Sequence, residues 1–507
     1  MLLALWLSYS WMFDGVTVPN ERSRVYLAVS LVDCGSVSID CAVERFGPVN
    51  DWARHEGHYY TDKAPGSSLL AAGVYAVARV FSAPEDWSIE GLINLERRFL
   101  MIPISLLGAL LLLRTLAVLK IPRPIAVGSV LAWLVGTTAL HYSGAFYGHQ
   151  IVAVSLLAAV YWGIVRPPGG HRRWFEGGLF LGGVACGVAG LVEYQAIPLA
   201  LVVACIAAYR AFRDGRAAHI AALVVGAAPF AALFLAYNAL AFGGPLELSY
   251  GHLVSAAIQE SHTRGIGGVG LPRWDAIHGV LFSLHRGLLV TSPVFLLLPL
   301  GFVLLWRRNR LLAAVVGTSI GLNLLVAFGA DAWFGGWSFG PRLLVPTLGL
   351  AMVPVALSLA AVTEHRRKTL LGGVVWGALA VGVCYNQIVQ AVFPELPENA
   401  VNPLRDVIFP MLADSQLVPN TSSALFGGRS ALSLTPVVVG CVALLVWFAR
   451  ILQREAGLRV WVKWSFGAVL LPVVFGGYVA LQQPSWNDGQ RASWSRLIDQ
   501  WQEYEAR

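Results

Sequence analysis

The sequence is short of charged residues. Asp, Glu, Lys and Arg make up only 13% of its 507 residues, whereas hydrophobic residues make up 56%. A soluble protein of this size carries about 25% charged residues, so an ordinary soluble enzyme is excluded. Apolar runs long enough to cross a membrane recur along the whole chain, and such runs are typical of transmembrane helices. The sequence therefore predicts an all-α polytopic membrane protein.

Several motifs of well-known chemistry are absent. The chain has no GxxxxGK[ST] nucleotide loop, no HExxH zinc motif and no GxSxG nucleophile elbow. Its 6 cysteines form no CxxC pair, and its acids show no metal-ligand spacing, so we expect neither a metal nor a cofactor. Cys34 and Cys41 are close enough in sequence to form a disulfide in an oxidising compartment, although their spacing does not require one.

The net charge of +7 does not predict nucleic-acid binding, because the basic residues lie in short clusters between apolar segments. The apolar opening segment lacks a basic start and a small-residue cleavage site, which predicts a short first membrane helix and not a cleaved signal peptide. A start site placed too late would also explain its shortness. With that helix, thirteen spans are expected, the others being 99–119, 124–142, 148–165, 177–193, 195–210, 218–241, 287–306, 311–329, 342–363, 369–392, 432–451 and 464–482.

The positive-inside rule selects this topology. With thirteen spans every inner loop carries at least three basic residues, whereas counting 67–83 as a further span would place those clusters outside. We therefore expect 67–83 to lie in the outer membrane interface. The chain then forms one membrane domain, 1–507, whose longer loops all lie on the outer face: 14–98, 242–286, 330–341, 393–431 and the tail 483–507.

The first outer loop is rich in carboxylates, which are costly at a membrane surface unless solvated or paired. Glu21 directly follows the first helix, and its position alone fits a solvated acid as well as a catalytic base. Asp62 and Lys63 precede Pro65 at the start of the interfacial segment. A lysine at a helix start suits a phosphate, although a lysine that extends to the interface would look the same.

Polar and aromatic residues also gather in the other outer loops. The glycines of the segment from Asp331 to Arg342 allow close backbone approach, and an arginine at a helix start can hold phosphate bidentately. The remaining candidates in these loops are His149, the pair Glu193 and Tyr194, Arg286, Trp333 and Trp337. An interfacial belt would explain the tryptophans but not the paired glycines beside them.

These motifs resemble the GT-C superfamily of membrane glycosyltransferases, in the branch of protein O-mannosyltransferases and the lipid A aminoarabinose transferase. That branch has an Asp-Glu motif after the first helix, matched here by Asn20-Glu21, and a Y/F-x-x-K-P-P segment, matched here by Tyr60-Thr61-Asp62-Lys63-Ala64-Pro65-Gly66. The segment DAWFGGWSFGPRLLVP resembles a motif of bacterial proteins of this type. Asn20 and Gly66 depart from the branch's pattern.

The resemblance implies an inverting transfer of a sugar from a polyprenyl phosphate to a lipid, glycan or protein acceptor, at the outer face of a bacterial inner membrane. It implies a GT-C bundle of about thirteen spans and no metal. Under this resemblance Glu21 or Asp62 is the base; Lys63, Arg342, Arg286 and His149 bind the lipid phosphate; and Tyr59, Tyr60, Glu193, Tyr194, Trp333 and Trp337 bind sugar or acceptor.

The alternative function is a lipid or polysaccharide transporter or flippase. Transporters place polar residues and broken helices at mid-membrane depth, whereas here the polar residues gather at one face, which favours an enzyme. The loss of the usual aspartate at Asn20 leaves a third reading, a degenerate scaffold. The sequence leaves open the sugar, the acceptor, the length of the lipid carrier, the oligomeric state and whether Asp51 or another outer acid is the base.

Overall fold

The structure is a computed structural model that describes residues 17–505 except 167–175, 266, 365–368, 416, 418–419, 421–430 and 453–457. The predicted first helix lies outside these residues. The chain is 76% helical with almost no sheet. In the part described, 9 helices are long and apolar enough to cross a membrane and three are shorter. The chain is a multi-pass membrane protein, and the predicted count of thirteen spans is not confirmed.

The helices fall into two halves along the chain. The first half contains α1 (Pro19–Asp33), α2 (Asp40–Phe46), α3 (Gly66–Ala78), α4 (Ile89–Val118), α5 (Arg123–Gly136), α6 (Ala139–Gly144), α7 (Gly148–Val165), α8 (Gly177–Val192), α9 (Tyr194–Arg213) and α10 (Ala217–Phe242). The second contains α11 (Ala256–Thr263), α12 (Trp274–Phe282), α13 (Leu288–Thr291), α14 (Leu298–Arg308), α15 (Arg310–Gly329), α16 (Arg342–Glu364), α17 (Thr369–Val392), α18 (Phe409–Ala413), α19 (Leu432–Leu452), α20 (Leu458–Leu481) and α21 (Asp488–Glu505).

Two predicted spans are interrupted. The span 124–142 is divided into α5 and α6, with Thr137 in an extended conformation between them. The span 287–306 is divided into α13, a 3₁₀ turn at Pro293–Leu297 and α14. Pro293 lacks a backbone N–H and cannot continue the α-helix that precedes it. The predicted span 287–306 is therefore not one continuous helix in the structure.

The centre of the bundle is built around α7 and α16. In the most apolar stretch of each helix, 89% of the residues of α7 and 94% of those of α16 are buried inside the protein. The corresponding share is 6% for α19, which lies at the periphery. Close helix contacts use glycine: a Cβ at Gly183 or at Gly226 would collide with the backbone of the facing helix, so α8 and α10 pack through these two positions. Small residues commonly allow such close packing between membrane helices.

A short β-hairpin organises the first loop. Strand β1 (Trp52–His55) pairs antiparallel with β2 (His58–Thr61), and Trp52 lies opposite Thr61. Both residues of the connecting turn, Glu56 and Gly57, have left-handed backbone angles, as a tight two-residue hairpin turn requires. Because Asp51 precedes β1 and Asp62 follows β2, this register places the two carboxylates side by side at the open end of the hairpin.

The hairpin is fixed to α2, and α2 is joined to α1. Cys34 and Cys41 are joined in a disulfide between α1 and α2, and Asp40 of α2 accepts a hydrogen bond from the Tyr59 backbone N–H (2.8 Å). At the start of α3, a Cβ on Gly66 would lie 2.6 Å from the Leu191 carbonyl. The glycine at position 66 therefore lets the first loop approach the end of α8.

Candidate functional site

One cavity of about 820 Å³ lies where the first loop meets four other segments. Its walls come from the hairpin and α1, the starts of α7 and α9, the residues around α11, and the segment before α16. Six predicted site residues line this cavity: Asp62, Lys63, His149, Glu193, Trp337 and Arg342. The hairpin register and the Gly66 contact explain why residues distant in sequence meet here.

Lys63 lies between two carboxylates on the cavity wall. Its Nζ is 2.6 Å from Asp62 Oδ2 and 3.0 Å from Asp51 Oδ2. Ser23 donates a hydrogen bond to the other oxygen of Asp62 (3.2 Å). An ammonium held by two acids can exchange one of them for another anion without losing all its charge partners. Lys63 is therefore the shared cation of a cluster with Asp51 and Asp62.

The two carboxylates beside Lys63 differ in basicity. Burial raises the pKa of Asp62 above its ordinary value, and the charge of Asp51 adds to this, although Lys63 opposes both. Burial also acts to raise the pKa of Asp51, but the attraction of Lys63 outweighs it and the pKa of Asp51 is lowered. The attraction of the two acids outweighs burial at Lys63, so the pKa of Lys63 is raised. Asp62 is therefore the better proton acceptor of the two acids.

A second cluster is centred on Glu193, at the turn between α8 and α9. Arg24 donates to Glu193 Oε1 (2.7 Å) and to Ser67 (2.5 Å), and His149 Nδ1 lies 3.6 Å from the same Glu193 oxygen. Gly148 is required here, because a Cβ at that position would collide with the Glu193 carboxylate. The cluster ties α1, α3, α7 and the α8–α9 turn together behind the cavity.

Arg342 presents its guanidinium to the cavity without a partner. Gly335 and Gly336 both have left-handed backbone angles, and a Cβ on Gly335 would lie 2.7 Å from Arg342 Nε. Gly335 therefore makes room for this arginine. Within the described residues, Arg342 Nε is buried without a hydrogen-bond partner, and no carboxylate is in salt-bridge contact with the guanidinium. Arg342 is half-buried, and a guanidinium that has no carboxylate beside it in the described chain can accept an anionic ligand.

Glu21 lies outside the cavity. Its side chain is fully buried and receives Arg97 Nε at 2.8 Å, Arg97 Nη2 at 2.5 Å and the Phe146 backbone N–H at 2.8 Å. Both carboxylate oxygens are therefore engaged. Its neighbour Asn20 lines the cavity, because consecutive residues of a helix point in different directions. The structure places the predicted base in an internal ion pair.

Arg286 also lies away from the cavity wall. It is fully buried and donates four hydrogen bonds of 2.6–3.0 Å to the carbonyls of Phe334, Gly336, Ser338 and Leu396. An arginine whose donors are used in this way has little left for a phosphate. We therefore correct its predicted placement: Arg286 holds the glycine turn that positions Arg342.

The other four predicted residues do not line the cavity. Tyr59 stacks on Trp52 within the hairpin, with ring centroids 4.3 Å apart, and Tyr60 packs on Phe242. Tyr194 packs on Tyr250, which does line the cavity. Trp333 donates its indole N–H towards Asp275 (3.3 Å). These side chains support the walls.

Sequence reasoning missed several cavity residues. Arg24 is one helical turn after Asn20, and its Nε bonds the Asn20 side chain (3.2 Å), so helical spacing gave a usable signal. Tyr147 donates to the buried Glu395 (3.0 Å) across 248 positions of sequence, and no local pattern predicts such a contact. Tyr250, Asp331 and Glu398 also line the cavity.

The fold is GT-C-like, because the chain is similar in structure to a solved protein of that fold. The solved structure of ArnT from Cupriavidus metallidurans, a lipid A aminoarabinose transferase, matches this chain with a TM-score of 0.52 and 16% identity, over 94% of this chain and 75% of that one. An Archaeoglobus fulgidus oligosaccharyltransferase matches at a TM-score of 0.40 and 12% identity, over 90% and 56%. No family model matches the chain, and no curated protein sequence does.

Proposed function

We propose that this protein transfers a sugar from a polyprenyl-phosphate donor to a hydroxyl acceptor. The observation that carries the proposal is the pairing, in one cavity, of the unpartnered Arg342 with the cluster formed by Lys63, Asp51 and Asp62. Arg342 and Lys63 supply positive charge for a phosphate. Asp62 supplies a carboxylate whose pKa is raised. The GT-C fold supports this reading.

In the proposed reaction, the donor phosphate binds Arg342 and draws Lys63 away from Asp62, while Lys63 keeps its contact with Asp51. Asp62 then takes the proton of the acceptor hydroxyl as the acceptor oxygen attacks C1 of the sugar. The bond between C1 and the phosphate oxygen breaks, and its electron pair remains on the phosphate, which Arg342 and Lys63 stabilise. Attack opposite the leaving group inverts C1. Asp62 becomes free to act as the base only when the donor phosphate binds Lys63. Proton transfer in the absence of a bound donor is therefore limited.

The orientation of the cavity follows from two features. The disulfide between Cys34 and Cys41 lies in the same loop as Asp62, and disulfides persist in oxidising compartments. The basic clusters of the sequence lie in the loops between the other ends of the spans, as expected of a cytoplasmic side. We therefore propose that the cavity opens at the outer face of a bacterial cytoplasmic membrane.

The test is turnover by purified protein in lipid vesicles, given a panel of polyprenyl-phosphate sugars. Wild type should release polyprenyl phosphate, and Asp62→Asn should not. Glu85→Gln is the matched control, because Glu85 is an exposed acid of the same loop outside the cavity, and it should turn over like wild type. The proposal fails if no donor is turned over, or if Asp62→Asn is as active as wild type.

One observation favours the transport alternative. The interrupted segment of α13, Pro293–Leu297 and α14 resembles the broken helices on which transporters build their sites. The polar side chain at this break already has a partner, however, because the Ser292 hydroxyl accepts a hydrogen bond from the Thr138 N–H (3.2 Å). Movement of a labelled lipid-linked sugar across the same vesicles, without release of polyprenyl phosphate, would replace the enzyme by a transporter.

A further inference from the structure

The C-terminal helix α21 is attached to the rest of the protein beside the cavity. The segment just before it is fixed by Asp406, whose carboxylate accepts hydrogen bonds from the Ser485 N–H (2.8 Å), the Ser485 hydroxyl (2.5 Å) and the Trp486 N–H (3.3 Å). The Trp486 indole N–H donates to the Asn399 carbonyl (3.2 Å). These bonds join the segment before α21 to the chain that follows α17.

Trp494 of α21 packs against a tryptophan of the cavity wall. Its ring centroid lies 5.9 Å from that of Trp337, 5.0 Å from Phe393 and 5.5 Å from Trp486. Trp337 itself is 41% exposed and lines the cavity. An indole that packs against another ring and is partly exposed offers a rigid apolar surface at low entropic cost.

An acid lies on the neighbouring segment. Ser338, which follows Trp337, donates its backbone N–H to the Leu396 carbonyl (3.2 Å), so the turn with Trp337 runs beside the turn with Glu398. Glu398 lines the same cavity, is exposed, and has no salt-bridge partner among the residues that the structure describes. A solvent-facing carboxylate accepts hydrogen bonds from hydroxyls and repels anions.

We propose that Trp337, supported by Trp494 and flanked by Glu398, forms an acceptor subsite for a neutral glycan. A sugar ring has an apolar C–H face that fits an indole and hydroxyls that fit a carboxylate. An acceptor rich in phosphate or carboxylate would meet the charge of Glu398. The role of this subsite in holding an acceptor rests on the proposed glycosyl transfer. Saccharide binding at the subsite requires neither donor nor turnover.

The test is direct binding by ligand-observed saturation-transfer NMR, with the full chain in lipid nanodiscs. The neutral probes are pentasaccharides of glucose, mannose, galactose and N-acetylglucosamine, and the anionic probe is pentagalacturonate. At least one neutral probe should bind wild type, and pentagalacturonate should not. Trp337→Ala should weaken binding by about tenfold, whereas Trp337→Phe should keep most of it because an aromatic face remains.

Two further variants separate the subsite from its surroundings. Trp494→Ala should weaken binding less than Trp337→Ala, because Trp494 acts only by positioning Trp337. Trp274→Ala is the matched control: Trp274 is 77% exposed at the start of α12 and does not line the cavity, so its loss should change nothing. Asp62→Asn should abolish transfer yet bind the saccharide as wild type does, which separates failure of this subsite from failure of the proposed reaction.

The proposal is overturned if no neutral pentasaccharide binds, if pentagalacturonate binds as well as the neutral probes, or if Trp337→Ala binds like wild type. It is also overturned if Trp274→Ala weakens binding as much as Trp337→Ala, because the indoles would then act only as a membrane-interface belt. Retained binding by Trp337→Phe guards against a folding defect as the cause of a loss in Trp337→Ala.

Discussion

Two ion pairs of similar composition lie in the first loop, and they differ in their surroundings. Glu21 and Arg97 form a pair with side-chain exposures of 0% and 4%, at 2.5 Å. Asp62 and Lys63 form a pair with exposures of 9% and 16%, at 2.6 Å. The distances are nearly equal. The second pair lines the cavity and shares its cation with a further acid, Asp51.

The difference shows which ion pairs are available for chemistry. Glu21 has both oxygens engaged and no exposed surface, so a substrate could reach it only by breaking the pair. Lys63 can give up one acid while keeping the other. The same contrast separates two arginines that adjoin the 330–341 loop: the donors of Arg286 are used by backbone carbonyls, whereas Arg342 keeps a buried Nε without a partner in the described chain.

The largest expected effect is on turnover in Asp62→Asn. Loss of a general base typically lowers the rate by about 10²–10⁴-fold, and the amide should preserve the hydrogen bond from Ser23. We expect the thermal unfolding temperature to stay within a few degrees of wild type. Turnover per folded molecule, measured with a donor that wild type accepts, checks this. A rate within a factor of ten of wild type would remove Asp62 from the role of base.

Glu21→Gln should act in the opposite way, on stability and not on chemistry. Removing one partner of a buried ion pair costs about 3–5 kcal/mol, because the Arg97 guanidinium stays buried without its carboxylate. We expect a clearly lower unfolding temperature and near-normal turnover per folded molecule at low temperature. If Glu21→Gln instead folds like wild type and loses turnover, the base lies at Glu21 as the sequence first indicated, and the open cluster only binds phosphate.

The two arginines give the next contrast. Arg342→Ala should lower turnover by about 10²–10³-fold, as loss of a donor to a developing negative charge does, with little change in stability. Arg342→Lys should recover part of the loss, because it restores charge but not the bidentate geometry. Arg286→Ala should lower the unfolding temperature more than Arg342→Ala does. The comparison breaks down if Arg342→Ala is the less stable variant.

The pH dependence of turnover should show how the charge of Lys63 affects the pKa of Asp62. A base works only when deprotonated, so turnover should fall as the pH drops through the pKa of Asp62, which lies above its ordinary value of 3.8. Lys63 lowers that pKa, so Lys63→Met should move the acid limb to higher pH, by about one pH unit or more. A limb that stays in place in Lys63→Met would show that another group controls it.

Much of the fold was predictable because it depends on local patterns. Apolar length predicted most of the long helices. What failed depends on contacts between distant segments. The partner of Glu21 is Arg97, 76 positions away, and the carbonyls around Arg286 come from loops about 50 and 110 positions away. No spacing in the sequence distinguishes a satisfied charge from an available one.

The smallest expected effect tests how the cavity depends on the packing behind it, and it uses two glycines of α3. A Cβ on Gly66 would lie 2.6 Å from the Leu191 carbonyl, whereas a Cβ on Gly73 would have nothing within 4 Å. Gly66→Ala should therefore destabilise the protein by about 1–3 kcal/mol through overpacking and move Lys63 relative to Glu193, lowering turnover modestly.

Gly73→Ala is the matched control, since it makes the same chemical change on the same helix. It should be neutral or stabilising by about 0.5–1 kcal/mol, as expected for alanine in a helix. Opposite signs for the two variants, measured by thermal unfolding, would show that Gly66 is needed for the close approach of the first loop to α8. Equal stability would show that the loop shifts freely, and the positions of Asp62 and Lys63 would then depend on the hairpin alone.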